Sequence, residues 1–269
     1  MTLSSLGTAL VTGASSGIGA IYADRLAARG HDLVLVARNR AKLADLAAGL
    51  ADRTGRSVEV VAADLGDRTD LRAVERLAAS DASLTMLVNN AGIGATAPLL
   101  ASDVDAMERL IDLDVTALMR LTYAAAPAFA ARGRGTIVNI ASSVAIGPEV
   151  LNGVYGGAKA FVLAFSQSLH HELAGKGLRV QAVLPGATAT AFWGLAGVPV
   201  EHLPGEIVMR AADLVDAALA GLDAGEVVTI PSLPDAAQWQ AYEAARQALL
   251  PNLSRAEPAA RYRVGAARA

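Results

Sequence analysis

The sequence predicts an α/β fold: a doubly wound parallel sheet, covered by helices on both faces and built as one domain. Three observations carry this expectation. Short apolar runs of strand length alternate with longer amphipathic stretches over most of the chain. A glycine-rich turn, Gly13-Ala14-Ser15-Ser16-Gly17-Ile18-Gly19, follows the first of those runs directly. The 269 residues are 53% hydrophobic, which supports one large core, and this length does not require a second.

Residues 8–12 form the first predicted strand, and the glycine turn leads from it into a helix ending near Arg29. A strand that runs through glycines into a helix offers backbone N–H groups and the positive helix end to an anion, which is a dinucleotide-binding signature. Residues 32–37 and 57–62 are the next strands, with a helix over 39–53 between them. A helix over 68–79 precedes the strand 84–88, which opens into Asn89-Asn90-Ala91-Gly92. A long helix is expected from Ser102, acting as N-cap, to the break at Gly133-Arg134-Gly135. The last strands are 136–141, 179–184 and 227–230. Ligands of such a sheet sit at the carboxyl ends of its strands. Gly13, Arg38, Asp64, Asn90, Ser142 and Pro185 each fall just past a strand and so gather on one edge.

The segment from about 190 to 210 has no sustained period and sets Phe192, Trp193 and Leu195 among glycines and prolines, as expected of a substrate lid. The domain is expected to span 1–250. Beyond it, 251–269 carries Arg255, Arg261, Arg263 and Arg268 with little apolar content and reads as a frayed tail.

Composition excludes several classes. A formal charge of −3 leaves no basic face for nucleic acid. The absence of cysteine excludes disulfides and thiolate chemistry. The start of the chain lacks the basic region of a signal peptide, and no apolar run approaches membrane-spanning length. A cytoplasmic protein is expected. His31, His170, His171 and His202 are not grouped with carboxylates at ligand spacing, so no metal is expected.

Tyr155 and Lys159 lie four positions apart within a helical apolar pattern, which puts both on one side of a helix. A phenol titrates near pH 10, and a fixed cation beside it stabilises the phenolate. Ser142 stands thirteen residues upstream, just past a predicted strand.

Together, Thr12-Gly13-x-x-x-Gly17-x-Gly19, Asn89-Asn90-Ala91-Gly92, Ser142, Tyr155-x-x-x-Lys159 and Pro185-Gly186 resemble the short-chain dehydrogenases/reductases, over about residues 7–230. The resemblance implies a Rossmann-like fold and reversible NADPH-dependent reduction of a ketone or aldehyde. It makes Tyr155 the general acid or base and Ser142 the group that orients the substrate oxygen. Lys159 then lowers the Tyr155 pKa and holds the nicotinamide ribose. It assigns the cofactor to Gly13, Ser15, Ser16, Gly17, Ile18, Gly19, Asn90, Ala91 and Gly92. It adds Asp64 and Leu65 at the adenine, and Thr188 and Thr190 after Pro185-Gly186 at the nicotinamide and phosphates.

Arg38, at the end of the second strand, is placed for the 2′-phosphate of NADP, with Ser15 in reach; it also reads as a solvated residue at a helix start. One position departs from the family pattern: Asp114 stands where an asparagine is common, and its carboxylate is expected near Lys159. Val144, Ile146, Leu151, Phe192 and Trp193 suggest an apolar pocket for a small carbonyl or alcohol substrate. A homodimer or homotetramer is expected, with the helix after Tyr155 as its interface. Two alternatives stay open: an NAD(H)-linked alcohol dehydrogenase, and a catalytically weak dinucleotide sensor with the same fold.

Overall fold

The structure, a computed structural model, describes residues 6–262. Residues 1–5 and the tail arginines Arg263 and Arg268 lie outside the described residues. The chain divides into two compact units, Met1–Ser232 and Leu233–Ala269.

The first unit is built on β1 (Thr8–Thr12), β2 (Asp32–Ala37), β3 (Val58–Ala62), β4 (Leu84–Asn89), β5 (Gly135–Ile140) and β6 (Leu178–Val183). Two short pieces, β7 (Thr188–Ala189) and β8 (Met209–Arg210), precede β9 (Val228–Thr229). Among the described residues, seven parallel strands form one sheet in the order β3-β2-β1-β4-β5-β6-β9. Both faces are covered, and the strands are accordingly near-continuous apolar runs.

Strand periodicity divides the core. Val11, Leu33 and Leu35 point to the face covered by α1 (Gly17–Ala28), α2 (Arg40–Thr54) and α8 (Ala211–Asp223), where Leu26, Leu43 and Leu214 pack. Leu10, Val34 and Val36 point to the face covered by α3 (Arg68–Ser80), α5 (Leu118–Arg132) and α6 (Gly153–Leu173), where Leu71, Phe129 and Leu169 pack.

Short polar side chains begin several helices. Asn39 caps α2 through Lys42 N, and Asp67 caps α3 through Thr69 N and Asp70 N. Gly55 and Gly133 end α2 and α5 in the left-handed conformation, with φ of 66° and 64°. The long helix expected from Ser102 differs in two ways. Its cap is Asp103, whose carboxylate accepts from Asp105 N and Ala106 N, whereas the Ser102 hydroxyl turns back to Ala97 O and Pro98 O. The helix is also not uniform: α4 (Val104–Ile111) passes through a π-helical stretch, Asp112–Ala117, before α5. Such wide turns often occur at functional sites.

The segment expected as a lid has more order than its composition suggests. β7 and β8 pair in parallel, Thr188 with Met209 and Ala189 with Arg210, and join the two ends of an excursion. Within it stand α7 (Phe192–Leu195) and 3₁₀ turns at Val200–His202 and Gly205–Ile207. The second unit holds α9 (Ala236–Leu249), capped by Asp235 and carrying a stacked Trp239–Tyr242 pair at 5.2 Å.

Candidate active site

The loop from β1 to α1 is shaped to take an anion. Gly13 and Gly17 have φ of 65° and 55°, where side chains are strained. A Cβ on Gly13 would lie 2.7 Å from Asn90 Nδ2 and 2.9 Å from Ala91 Cα. Asn90 and Thr12 fix this close approach: Asn90 Nδ2 donates to Thr12 O at 2.9 Å, and Thr12 Oγ1 accepts from Asn90 N and Ala91 N at 2.9 and 3.0 Å. Ser16 stands at the N-cap of α1 but makes no side-chain cap bond, so no side chain closes the first turn's N–H groups. A glycine cradle open to a helix N-terminus fits the pyrophosphate of a dinucleotide.

Ser142, Tyr155 and Lys159 line the same cavity, of about 450 Å³. Ser142 is set by the end of β5, and its hydroxyl accepts from Val144 N at 3.4 Å. Tyr155 and Lys159 share one face of α6, whose first turn is capped by Asn152. The Asn152 carbonyl accepts from Val154 N and Tyr155 N, while its amide donates to Ala97 O at 2.6 Å and Ser102 Oγ at 2.9 Å. This buried asparagine ties the start of α6 to the loop after β4.

Lys159 Nζ donates to Ile140 O at 3.2 Å and lies 5.6 Å from the centre of the Tyr155 ring. It also pairs with Asp114 Oδ2 at 3.0 Å. The Asp114 side chain is fully buried, and its other oxygen accepts from Ile93 N at 2.8 Å. The π-helical stretch delivers this carboxylate, which also touches the loop at Gly92.

Burial pushes the Tyr155 phenol above its ordinary range. The Lys159 charge works against that rise, the Asp114 charge adds to it, and the Ser142 hydroxyl, within hydrogen-bonding reach, favours the phenolate. Burial lowers Lys159, but Asp114 and Tyr155 outweigh it and hold the ammonium above its usual value. Burial raises the Asp114 carboxyl against the opposing pull of Lys159 and Ile93 N–H. A donor hydroxyl, a phenol and a fixed cation on one wall can stabilise and protonate a developing alkoxide.

The cavity also brings together Gly13, Ser16, Gly17, Ile18, Asn90, Ala91, Gly92, Pro185, Gly186, Thr188 and Thr190. Val144, Leu151, Phe192 and Trp193 form its apolar part. Ile146 lies off the cavity and is partly exposed, and Val150 lines the wall instead. Gly19 is not on the cavity wall but packs against Gly13 O and Asn90. Ser15, Arg38 and Asp64 also stand outside it; Arg38 is exposed at the end of β2, and the Asp64 carboxylate accepts from Gly66 N. The Leu65 side chain is buried in the core on the face covered by α3, α5 and α6, which leaves only its backbone for an adenine.

Two features were missed from sequence. Asn152 could have been found as an N-cap ahead of Gly153. The contact of Gly94 with Phe192 has no local signal, because it joins segments about a hundred residues apart.

The family model for short chain dehydrogenases matches residues 7–196. A short-chain dehydrogenase from Sphingobium yanoikuyae, solved in complex with NADPH, is 51% identical with a TM-score of 0.93, covering 96% of this chain and all of that one. The bulky-bulky ketone specific alcohol dehydrogenase from Comamonas testosteroni is 45% identical with a TM-score of 0.89, covering 96% of this chain and 99% of its own. A very-long-chain 3-oxoacyl-CoA reductase from Anas platyrhynchos is 34% identical over 208 residues, 76% of this chain and 67% of that protein. Of the Rattus norvegicus reductase of the same name, the matched region spans 59%. The glycine cradle, the Ser142–Tyr155–Lys159 wall and these matches place the chain in the short-chain dehydrogenase/reductase family of oxidoreductases acting on CH–OH and carbonyl groups.

Proposed function

We propose that the chain reduces a ketone or aldehyde to its alcohol with NADPH, reversibly, with Tyr155 as the general acid or base. The observation that carries this reading is that Ser142, Tyr155 and Lys159 line the same cavity as the glycine cradle. The substrate oxygen accepts hydrogen bonds from Ser142 and Tyr155 and takes the phenolic proton as negative charge develops on it. Lys159 stabilises the phenolate left behind and, in the reverse direction, the phenolate that accepts the alcohol proton. A bound nicotinamide supplies or accepts the hydride. Gly13 through Gly19, with Asn90, Ala91, Gly92, Thr188 and Thr190, hold the dinucleotide, and exposed Arg38 reaches its 2′-phosphate. NADPH in the Sphingobium relative supports this choice of cofactor.

The wall formed by Val144, Leu151, Phe192 and Trp193 favours an apolar carbonyl compound. The proposal includes a catalytic domain through residue 250, a lid at 190–210, and a homodimer or homotetramer formed through α6. An exposed aromatic run on α5 and α6, Tyr123 stacked on Phe165 and Phe165 on Phe161, supports that interface. Among the described residues no helix is long and apolar enough to cross a membrane. Cytoplasmic residence rests on composition alone.

The reading is tested with Tyr155→Phe, assayed by NADPH consumption on a panel of aryl ketones, aldehydes and a 3-oxoacyl thioester. Turnover is expected to vanish while NADPH affinity stays within a few-fold, because the ring remains and the transferable proton is lost. Retention of turnover within about tenfold, only ~1.4 kcal/mol in barrier, would remove Tyr155 from its role.

A further inference from the structure

Gly94 lies on the loop after β4, where the cavity wall meets α7. Its φ is not in the left-handed region, so backbone conformation does not require glycine there. The requirement is steric. A Cβ on Gly94 would fall on the Phe192 ring, 2.9 Å from each Cε and closer still to Cζ. The ring that rests on Gly94 is the one that faces Tyr155, with centroids 6.0 Å apart and planes inclined by 46°. It packs with Ala95, Leu110 and Val144 in the small apolar cluster around Tyr155.

The approach of the two segments is fixed beside this contact. Thr96 Oγ1 donates to Ala196 O at 2.6 Å, which ties the loop to the end of α7. Gly197 follows with φ of 99°, and a Cβ there would lie 3.3 Å from Thr96 Oγ1. On its other side the same loop is held by Asp114 through Ile93 N. The Phe192 ring therefore stands between a fixed loop and Trp193, which is buried and edge-on to it at 5.8 Å. The cavity is the open side.

We propose that Gly94 is a specificity-determining residue. By lacking a side chain it lets Phe192 sit back from the cavity, and so sets how large a group beside the carbonyl can stand over Tyr155. The inference rests on the carbonyl-reductase reading and deepens it. A methyl group at Gly94 drives the ring into the cavity, where it takes space from a bulky substituent before it obstructs a small one. Residue 94 then acts on substrate choice only through the ring of Phe192, and this dependence separates a specific role from general loosening of the site.

The test compares cyclohexyl phenyl ketone with acetophenone for the parent, Gly94→Ala, Phe192→Ala and the double variant. Two readouts are used: kcat/KM with NADPH, and calorimetric affinity of each ketone for the NADP⁺-loaded chain, which needs no turnover. In Gly94→Ala the bulky-to-small ratio is expected to fall at least tenfold in both. In the double variant it is expected to return to within threefold of Phe192→Ala alone. Phe192→Leu, which leaves residue 94 untouched, is expected to raise the ratio at least fivefold, and NADPH affinity together with circular dichroism reports whether each variant is folded. An unchanged ratio in a folded Gly94→Ala overturns the proposal, as does a loss that persists without the ring, or a Phe192→Leu ratio that does not move. If the ketones bind with the expected dependence on residues 94 and 192 but the parent reduces neither, the reductase reading fails and the role of Gly94 stands. Turnover without size dependence fails the inference alone.

Discussion

In the proposed reaction, Asp114 acts on the electrostatics of Tyr155 through a contact with Lys159. At 3.0 Å, and with its side chain fully buried, this carboxylate acts on Lys159 with little of the solvent screening that weakens a surface pair. Its charge favours the protonated phenol, in the same direction as burial, whereas Lys159 favours the phenolate. Replacing Asp114 by Asn removes the negative charge, so the phenolate becomes accessible at lower pH. Alcohol oxidation needs that phenolate, and the pH profile of its kcat/KM is expected to move toward acid in Asp114→Asn. Carbonyl reduction needs the protonated phenol and is expected to lose rate at the alkaline end. An unmoved oxidation profile in a folded variant would mean that Asp114 carries no charge while the enzyme works. Asp114→Ala also removes the acceptor of Ile93 N and leaves a buried ammonium without its partner, a loss of about 3–5 kcal/mol in unfolding measurements. The departure at 114 was legible in the sequence because the family motif fixes its place. The length of the contact was not, because it depends on a widened helical turn that no residue type announces.

Asn152 anchors the start of α6, the helix that carries Tyr155 and Lys159. It caps the first turn of α6 and holds the loop after β4 with the same side chain, so the position of Tyr155 is fixed from two directions. Asn152→Ala removes a cap and the two hydrogen bonds that its amide donates to Ser102 Oγ and to Ala97 O, the latter still accepting from Ser102 Oγ. The expected cost is roughly 1–3 kcal/mol in urea unfolding, combining a cap of about 1 with hydrogen bonds of ~0.5–1.5 to partners that water can reach. kcat is expected to fall while NADPH affinity changes little, because the glycine cradle lies on other elements. Asn152→Ser, which keeps a cap oxygen but loses the amide, is expected to recover part of the stability. Parent-like stability and kcat in Asn152→Ala would show that α6 is positioned by packing alone. Strands and most helices were readable because their periods are local, but caps went astray where two polar residues compete. Ser102 and Asp103 are adjacent candidates, and the serine is recruited by Asn152 and Ala97 O.

Across the whole molecule, one topological fact gathers the site: parallel strands end on a single edge, so residues just past them meet there however far apart they are in sequence. That rule, readable from strand spacing, placed Gly13, Asn90, Ser142 and Pro185 on the common cavity. It could not give depth. Arg38 follows β2 on the same edge yet stands exposed outside the cavity, and among the described residues no hydrogen bond or ion pair holds it; its proposed contact is with the 2′-phosphate. Cofactor choice then becomes measurable as stability, because a ligand that binds only the folded chain stabilises it by mass action. NADPH at a hundred times its Kd adds about 2.7 kcal/mol, a rise in Tm of roughly 5–10 °C for a domain of this size. NADH at the same concentration lacks the 2′-phosphate and is expected to raise Tm by less. Arg38→Ala is expected to weaken NADPH by roughly tenfold or more, since a charge-assisted contact is lost, and to bring its Tm rise down to that of NADH. The NADH rise itself is expected to stay where it was. Equal losses for both cofactors would mean that Arg38 acts through the end of β2 and not through the phosphate. Equal rises in the unaltered chain would assign the protein to NAD(H) as readily as to NADP(H), and the exposed arginine would then be an ordinary solvated residue at the start of α2.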